Sequence, residues 1–425
     1  MVFDRNNIAQ LIFLELLSLT PLFILIGNIV PPIPFIPLKI HFIAFGIIFL
    51  CSLWILVTQA SKKWVLYVAF GYLLIQFTFD YWDLKSWIDF FFGPFVLVIL
   101  VDLLVNKRIP TKLLKKYEQR FYHLLWIPIS IAVLQFFEIL PVTFWNASYV
   151  NYVLVDGVDI PRPNGFLYHG SELSIILCFT ALFQYFKKER ESFWMLVFLI
   201  FICLATYFKA ILGCITLLFL YYLIFVNRGV LSRFQVISKA RIFWYGGVLI
   251  VIGICFAVQY SSMVYFYTGN YFPPQMLTGR GSIWNIYLSG IKEFSWWNHL
   301  VGNGMGSAFE IFKEQATSEN FYPLVKKSEL GVVYDTHNAI LSIFVNSGLI
   351  GLLFISFIFK MIYTQIKTWK PTALWNKKVF IAVFIIPLMT IGVTINFYEM
   401  AIIWPCIGFV FYRWFFSTQE NDAVD

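Results

Sequence analysis

Asp335-Thr336-His337-Asn338-Ala339-Ile340-Leu341-Ser342-Ile343-Phe344-Val345-Asn346-Ser347-Gly348-Leu349-Ile350-Gly351 is where a long polar insert gives way to an apolar run. The insert begins near Gln259 and carries Gly279-Arg280-Gly281-Ser282-Ile283-Trp284 towards its start. On both sides of it the chain reads as bilayer-spanning helix. A guanidinium and an imidazole are thereby delivered to one membrane surface. The fold this implies is an all-α integral membrane protein with about twelve transmembrane helices and one large loop.

Composition agrees. Of 425 residues, 60% are hydrophobic, 20% aromatic and only 13% charged, and the mean hydropathy is +0.76. A soluble domain of this length needs more charge to cover its surface. The net charge of +8 does not point to nucleic acid, because most basic residues cluster in short loops on one side, as membrane orientation requires. All six cysteines (Cys51, Cys178, Cys203, Cys214, Cys255, Cys406) lie in apolar runs. Without C-x-x-C pairs or Cys/His spacing, neither a disulfide framework nor a zinc site is expected. The first apolar segment lacks a clear small-residue cleavage site and reads as an anchor rather than a cleaved signal.

A spanning helix needs roughly 20 mostly apolar residues. That rule predicts spans near 8–30, 37–59, 63–79, 87–106, 121–140, 171–186, 193–207, 210–226, 242–258, 336–360, 379–396 and 399–416, in a single polytopic domain over 1–425. Lys62 and Lys63, the group from Lys107 to Arg120, Lys187 to Arg190, Arg228 to Arg241, and Lys367 to Lys378 all fall in even-numbered loops. The short odd-numbered loops are poor in basic residues; the third of them, 141–170, contains Arg162 alone. Positive-inside orientation then makes both termini cytoplasmic. The large loop, 259–335 between the ninth and tenth helices, faces outward, a layout that fits the periplasmic side of a bacterial inner membrane.

Four basic or titratable positions stand out. Arg162, in Pro161-Arg162-Pro163-Asn164-Gly165-Phe166, reads either as a lipid-headgroup contact or as an anion clamp, since a guanidinium grips phosphate through paired hydrogen bonds. Lys209 lies between two apolar runs. It either snorkels to the interface or, as an ionisable group within the membrane, marks a functional site. Arg280 is either a solvated loop arginine or an anion ligand beside a helix N-terminus. The residues after it, with Trp284, Tyr287, Ile291 and Phe294 at helical spacing, predict an amphipathic helix over 283–294. His337, between Thr336 and Asn338 at the mouth of the tenth span, reads as a helix-end residue or as a general base for an alcohol. His41 and His123 read as structural, while His169 and His299 stay open to substrate contact. Val301-Gly302-Asn303-Gly304-Met305-Gly306 has no strand-turn-helix around it, so it reads as a tight turn rather than a nucleotide cradle. Glu329 and Asp335 are the nearest candidates for a two-carboxylate hydrolase, and nothing places them as a pair.

Taken in order, Arg162 with Gly165-Phe166, Lys209, Gly279-Arg280 with Trp284, and His337-Asn338 followed by Gly348-x-x-Gly351 resemble the O-antigen ligase and O-antigen polymerase superfamily of bacterial inner-membrane glycosyltransferases. The motifs cover the chain from Arg162 to Gly351. The resemblance implies a C-type glycosyltransferase using an undecaprenyl-diphosphate-linked oligosaccharide as donor, with no nucleotide sugar, cofactor or essential metal. It implies His337 and Arg280 as catalytic residues, and Arg162, Lys209, Asn338 and Trp284 as diphosphate or substrate contacts. Expected partners are the lipid-linked donor and acceptor, the lipid bilayer and a chain-length regulator protein, with no nucleic acid. The family's ligases usually carry arginine where this chain has Lys209, and the Arg-Pro-Asn-Gly-Phe element looks more like polymerases. Both lean towards a polymerase. The alternatives are a ligase with lipid A-core as acceptor and a polysaccharide flippase, which would spread ionisable residues through several helices near the midplane.

Overall fold

Ile40–Thr58 contains no charged residue in nineteen positions and forms one uninterrupted helix, the simplest result of placing such a run where only helices satisfy every backbone group. The structure, a computed structural model, describes residues 5–29, 40–58, 63–80, 82–106, 109–142, 152–155, 158–161, 163–167, 170–187, 195, 197–199, 202, 280–315, 336, 338–369 and 402–422. The expected spans 210–226, 242–258 and 379–396, and most of 193–207, lie outside the described residues.

In chain order the helices are α1 (Arg5–Ser18), α2 (Thr20–Ile29), α3 (Ile40–Thr58), α4 (Lys63–Gln76), α5 (Leu84–Val105), α6 (Thr111–Phe136), α7 (Gly170–Lys187), α8 (Arg280–Lys292), α9 (Trp296–Val301), α10 (Ala308–Gln315), α11 (Ala339–Trp369) and α12 (Ile403–Asp422). Among the described residues, His41–Thr58, Leu84–Val105 and Ala339–Ile362 are long and apolar enough to cross a membrane. Ile8–Ser18 with Thr20–Gly27 makes a fourth span if the bent pair is counted as one.

That pair departs from the single helix expected over 8–30: the two halves meet at 55°. The Ser18 hydroxyl donates to the Glu15 carbonyl and the Thr20 hydroxyl to the Leu17 carbonyl. Pro21 follows, with no N–H to continue the ladder. Back-bonding hydroxyls next to a proline are a recognised cause of such bends. The described elements are helical, as the all-α class expects, apart from one short hairpin. Strands β1 (Tyr152–Val155) and β2 (Val158–Pro161) pair antiparallel, with Val155 opposite Val158. The sequence Asp156-Gly157 between them is a strong two-residue hairpin signal within a segment otherwise read as loop.

α5 is the axis of the bundle, buried from Phe90 to Leu104. It packs on α3, α11 and α12, while α12 also lies against α6 and α7. Phe121 stacks on Phe409 at 4.7 Å between ring centroids, and Tyr412 donates its hydroxyl proton to the Leu100 carbonyl at 2.8 Å. The fully buried Glu118 of α6 pairs with Arg413 of α12 at 2.9 Å, and that guanidinium also sits over the Tyr122 ring. Buried charges in a membrane bundle persist where they are paired, and this pair ties the last helix to α6.

Candidate functional site

α8 is the amphipathic helix predicted over 283–294, beginning three residues earlier. Ile283, Ile286 and Tyr287 are buried against Ala308, Ile311 and Phe312 of α10 and Val345 of α11, with Trp284, Ile291 and Phe294 at the margin. The large insert thus carries its own small core, seated on the first turns of α11. One directed bond fixes its register: the Trp284 indole N–H donates to the Thr336 carbonyl at 2.8 Å. Arg280 opens α8, one turn before Trp284, and His337 follows Thr336 in the chain. The tie therefore joins the helix that Arg280 opens to Thr336, the chain neighbour of His337. The side chain of Arg280 lies outside the described residues, as do His337, Arg162 and Lys209 altogether.

Asn338 caps α11. Its Oδ1 accepts the Leu341 N–H at 3.0 Å, and the Thr336 hydroxyl donates to the Asn338 carbonyl at 3.2 Å. The cap holds the 336–338 segment across the helix N-terminus. If Asn338 also touches substrate, its Nδ2 is the donor such a contact would use.

The glycine-rich turn after α9 is docked. Gly302, Gly304 and Gly306 all have positive φ, conformations open to glycine and costly to other residues. The Asn303 N–H donates to the Val345 carbonyl at 2.8 Å. The Asn346 Oδ1 accepts from Gly306 and Ala308 at 3.2 and 3.4 Å. From the other side, Gln76 of α4 accepts the Met305 N–H at 2.6 Å, Tyr72 donates to the Val301 carbonyl, and the Asp83 N–H donates to the Met305 carbonyl at 2.8 Å. The ends of α4 and α5 and the first half of α11 are thus gathered at one end of the bundle. Asp83 also caps α5: burial alone would raise its carboxyl pKa, but hydrogen bonds from Ser86 and Lys85 and the Lys85 charge hold it below the ordinary carboxylate value.

A second docked turn precedes α7. Gln135, near the end of α6, accepts the Asn164 and Gly165 N–H groups at 3.0 and 2.9 Å and donates to the Pro141 carbonyl at 3.1 Å. Asn164 Oδ1 in turn accepts the Phe166 N–H at 3.0 Å. Phe166 sits at φ 59, an unusual conformation for an aromatic residue that its surroundings must enforce. The Asn-Gly-Phe element beside Arg162 is therefore a rigid turn hung from one glutamine. Gln135→Leu, which strands two amides, is expected to destabilise the protein by about 1–3 kcal/mol. The check is the thermal midpoint in detergent, where Gln135→Glu, keeping acceptor oxygens, loses less. An unchanged midpoint for Gln135→Leu would show that the turn does not depend on Gln135.

Gln76, Gln135 and Asn346 were not singled out from the sequence. All three are buried carboxamides in apolar helices, and all three hold backbone amides of segments outside those helices. The signal available in the sequence is a lone Asn or Gln in an apolar run, where an unpaired carboxamide would be costly.

The helices and the tie at 284–336 define a membrane protein with its candidate site at one end of the bundle. Residues 194–356 match the family model described as O-antigen ligase. The match supports the O-antigen ligase and polymerase superfamily for this chain, and with it a ligase- or polymerase-type transferase function. It lends nothing to the flippase alternative. Searches of the curated proteins and of the solved structures returned no match.

Proposed function

We propose that the chain is a polymerase of O-antigen or a related surface polysaccharide, acting on undecaprenyl-diphosphate-linked glycans at the outer face of a bacterial inner membrane. The observation that carries the reading is the Trp284–Thr336 tie, which brings the first turn of α8 and the segment before α11 together at one end of the bundle. An arginine opening a helix adds its charge where free N–H groups and the helix dipole already favour an anion. His337 follows Thr336 in the chain, and its imidazole is the group proposed to take the proton of the acceptor hydroxyl.

In the proposed reaction the acceptor hydroxyl oxygen attacks the anomeric carbon of the donor glycan as the bond to the diphosphate oxygen breaks. The electron pair leaves with undecaprenyl diphosphate, and the hydroxyl proton passes to His337. Attack opposite the leaving group inverts the anomeric centre. Negative charge grows on the diphosphate, so fixed cations there lower the barrier most. Arg280, with Arg162 or Lys209, fills that role.

Ligation to lipid A-core is the second reading, favoured by the description of the matched family. Purified protein offered lipid-linked repeats, with and without lipid A-core, separates the two. A polymerase builds longer lipid-linked glycan from repeats alone. Transfer seen only when lipid A-core is added would replace polymerase by ligase, and transfer in neither mixture would remove the transferase reading.

A further inference from the structure

The kink in α11 and the glycine turn fit one another. Gly348 lies inside α11 at φ 62, ψ −160, away from helical values. A Cβ on Gly348 would collide with the Leu300 carbonyl and the Gly302 nitrogen, and a Cβ on Gly302 would collide with the Asn346 carbonyl and the Ser347 nitrogen. Gly348 thus makes room for the backbone at Leu300 and Gly302, and Gly302 for the backbone at Asn346 and Ser347. Asn346, 6% exposed, spans the same junction: Oδ1 accepts from Gly306 and Ala308, and Nδ2 donates to the Ser342 hydroxyl at 3.3 Å. Here close backbone contact between the insert and the span adds to the side-chain packing at Val345 and the Asn346 hydrogen bonds.

The consequence follows from connectivity. The glycine turn leads directly into α10, α10 packs on α8, and α8 begins with Arg280. Asn346 lies two turns beyond Asn338 on the helix that the 336–338 segment opens. A shift at the junction is carried to both halves of the candidate site at once.

We propose that Gly302, Asn346 and Gly348 are positioning residues that seat the glycine turn in the kink of α11 and so set the placement of Arg280 relative to the 336–338 segment. The proposal rests on the transferase reading for its catalytic part and on the docked backbone for its structural part. Misplacement of about 1 Å in a reacting geometry can cost on the order of a hundredfold in rate, while distant substrate contacts keep their affinity.

The test uses the full-length protein in nanodiscs with lipid-linked repeats as substrate, and reads two quantities. The first is hydrogen exchange of the 303–308 amides; the second is kcat and KM separately. Asn346→Leu is expected to speed exchange of those amides and lower kcat by about tenfold or more, with KM within about twofold. Asn346→Asp, retaining an acceptor oxygen, is expected to lose less of both. Faster exchange with unchanged kcat overturns the positioning role, and unchanged exchange overturns the docking. Should Asn346→Leu fail to accumulate, cysteines at Asn303 and Val345, whose backbones are already hydrogen-bonded, are joined by oxidation in a background without other cysteines. The joined protein is expected to stay active, and loss of activity that a reductant restores overturns the proposal. A wild-type protein with no transfer at all refutes the transferase reading instead, and exchange in Asn346→Leu still decides the docking.

Discussion

His337→Ala is expected to stop the chain elongation proposed for this protein while leaving it folded and inserted. Removing a general base typically costs about 10²–10⁴ in rate, enough to erase polysaccharide ladders from cells carrying the variant as sole copy. The neighbouring residue supplies the control. Asn338 caps α11 through its bond to the Leu341 N–H, so Asn338→Ala is expected to cost about 0.5–2 kcal/mol of stability, seen as a lower thermal midpoint. His337→Ala is expected to leave the midpoint near wild type and remove activity. If His337 only ends the helix, both substitutions behave alike, losing stability and activity in proportion. Normal ladders from His337→Ala would exclude it as the base.

The stripe Ile283, Trp284, Tyr287, Ile291, Phe294 was legible because a helix buries one face at 3.6-residue spacing; α8 buries Ile283 and Tyr287, with Trp284 and Ile291 at the margin and Phe294 two residues past its end. The span carrying Gly348 was legible from hydropathy alone. Its partner was not: Gly302 and Gly348 lie far apart in sequence, and their fit is a tertiary contact with no local periodicity. The turn at 302–306 could be recognised as a turn, but not that Asn346 and Gln76 hold it. The bend at Leu19 had a local cause in Ser18, Thr20 and Pro21, hidden by a hydropathy window that averages over them. For Arg162, the sequence offered an isolated cation; the structure adds that the Asn164–Gly165 turn next to it is fixed by Gln135, so a group at that point starts from a rigid base.

Arg280 is the position where geometry and charge separate most clearly. Arg280→Ala is expected to lower kcat by about 10²–10³, the usual cost of removing one preorganised donor from a developing negative charge. Arg280→Lys keeps the charge but replaces a planar fork by a point donor, so it is expected to recover little of the loss on a diphosphate. The place of Arg280 sharpens this: it opens α8, and the helix is held in register by the Trp284–Thr336 bond, so a lysine has little freedom to re-aim by moving its backbone. Lys209→Arg retains charge and introduces the residue that ligases of the resembled family carry, and it is expected to be mild. If these residues served only to orient the protein or to reach headgroups, both conservative exchanges would be silent, because the positive-inside effect counts charge without regard to its shape. The measurement is kcat for each variant on lipid-linked repeats at matched protein level. Full activity in Arg280→Lys together with severe loss in Lys209→Arg would exchange the two roles, making Lys209 the residue whose geometry the diphosphate demands.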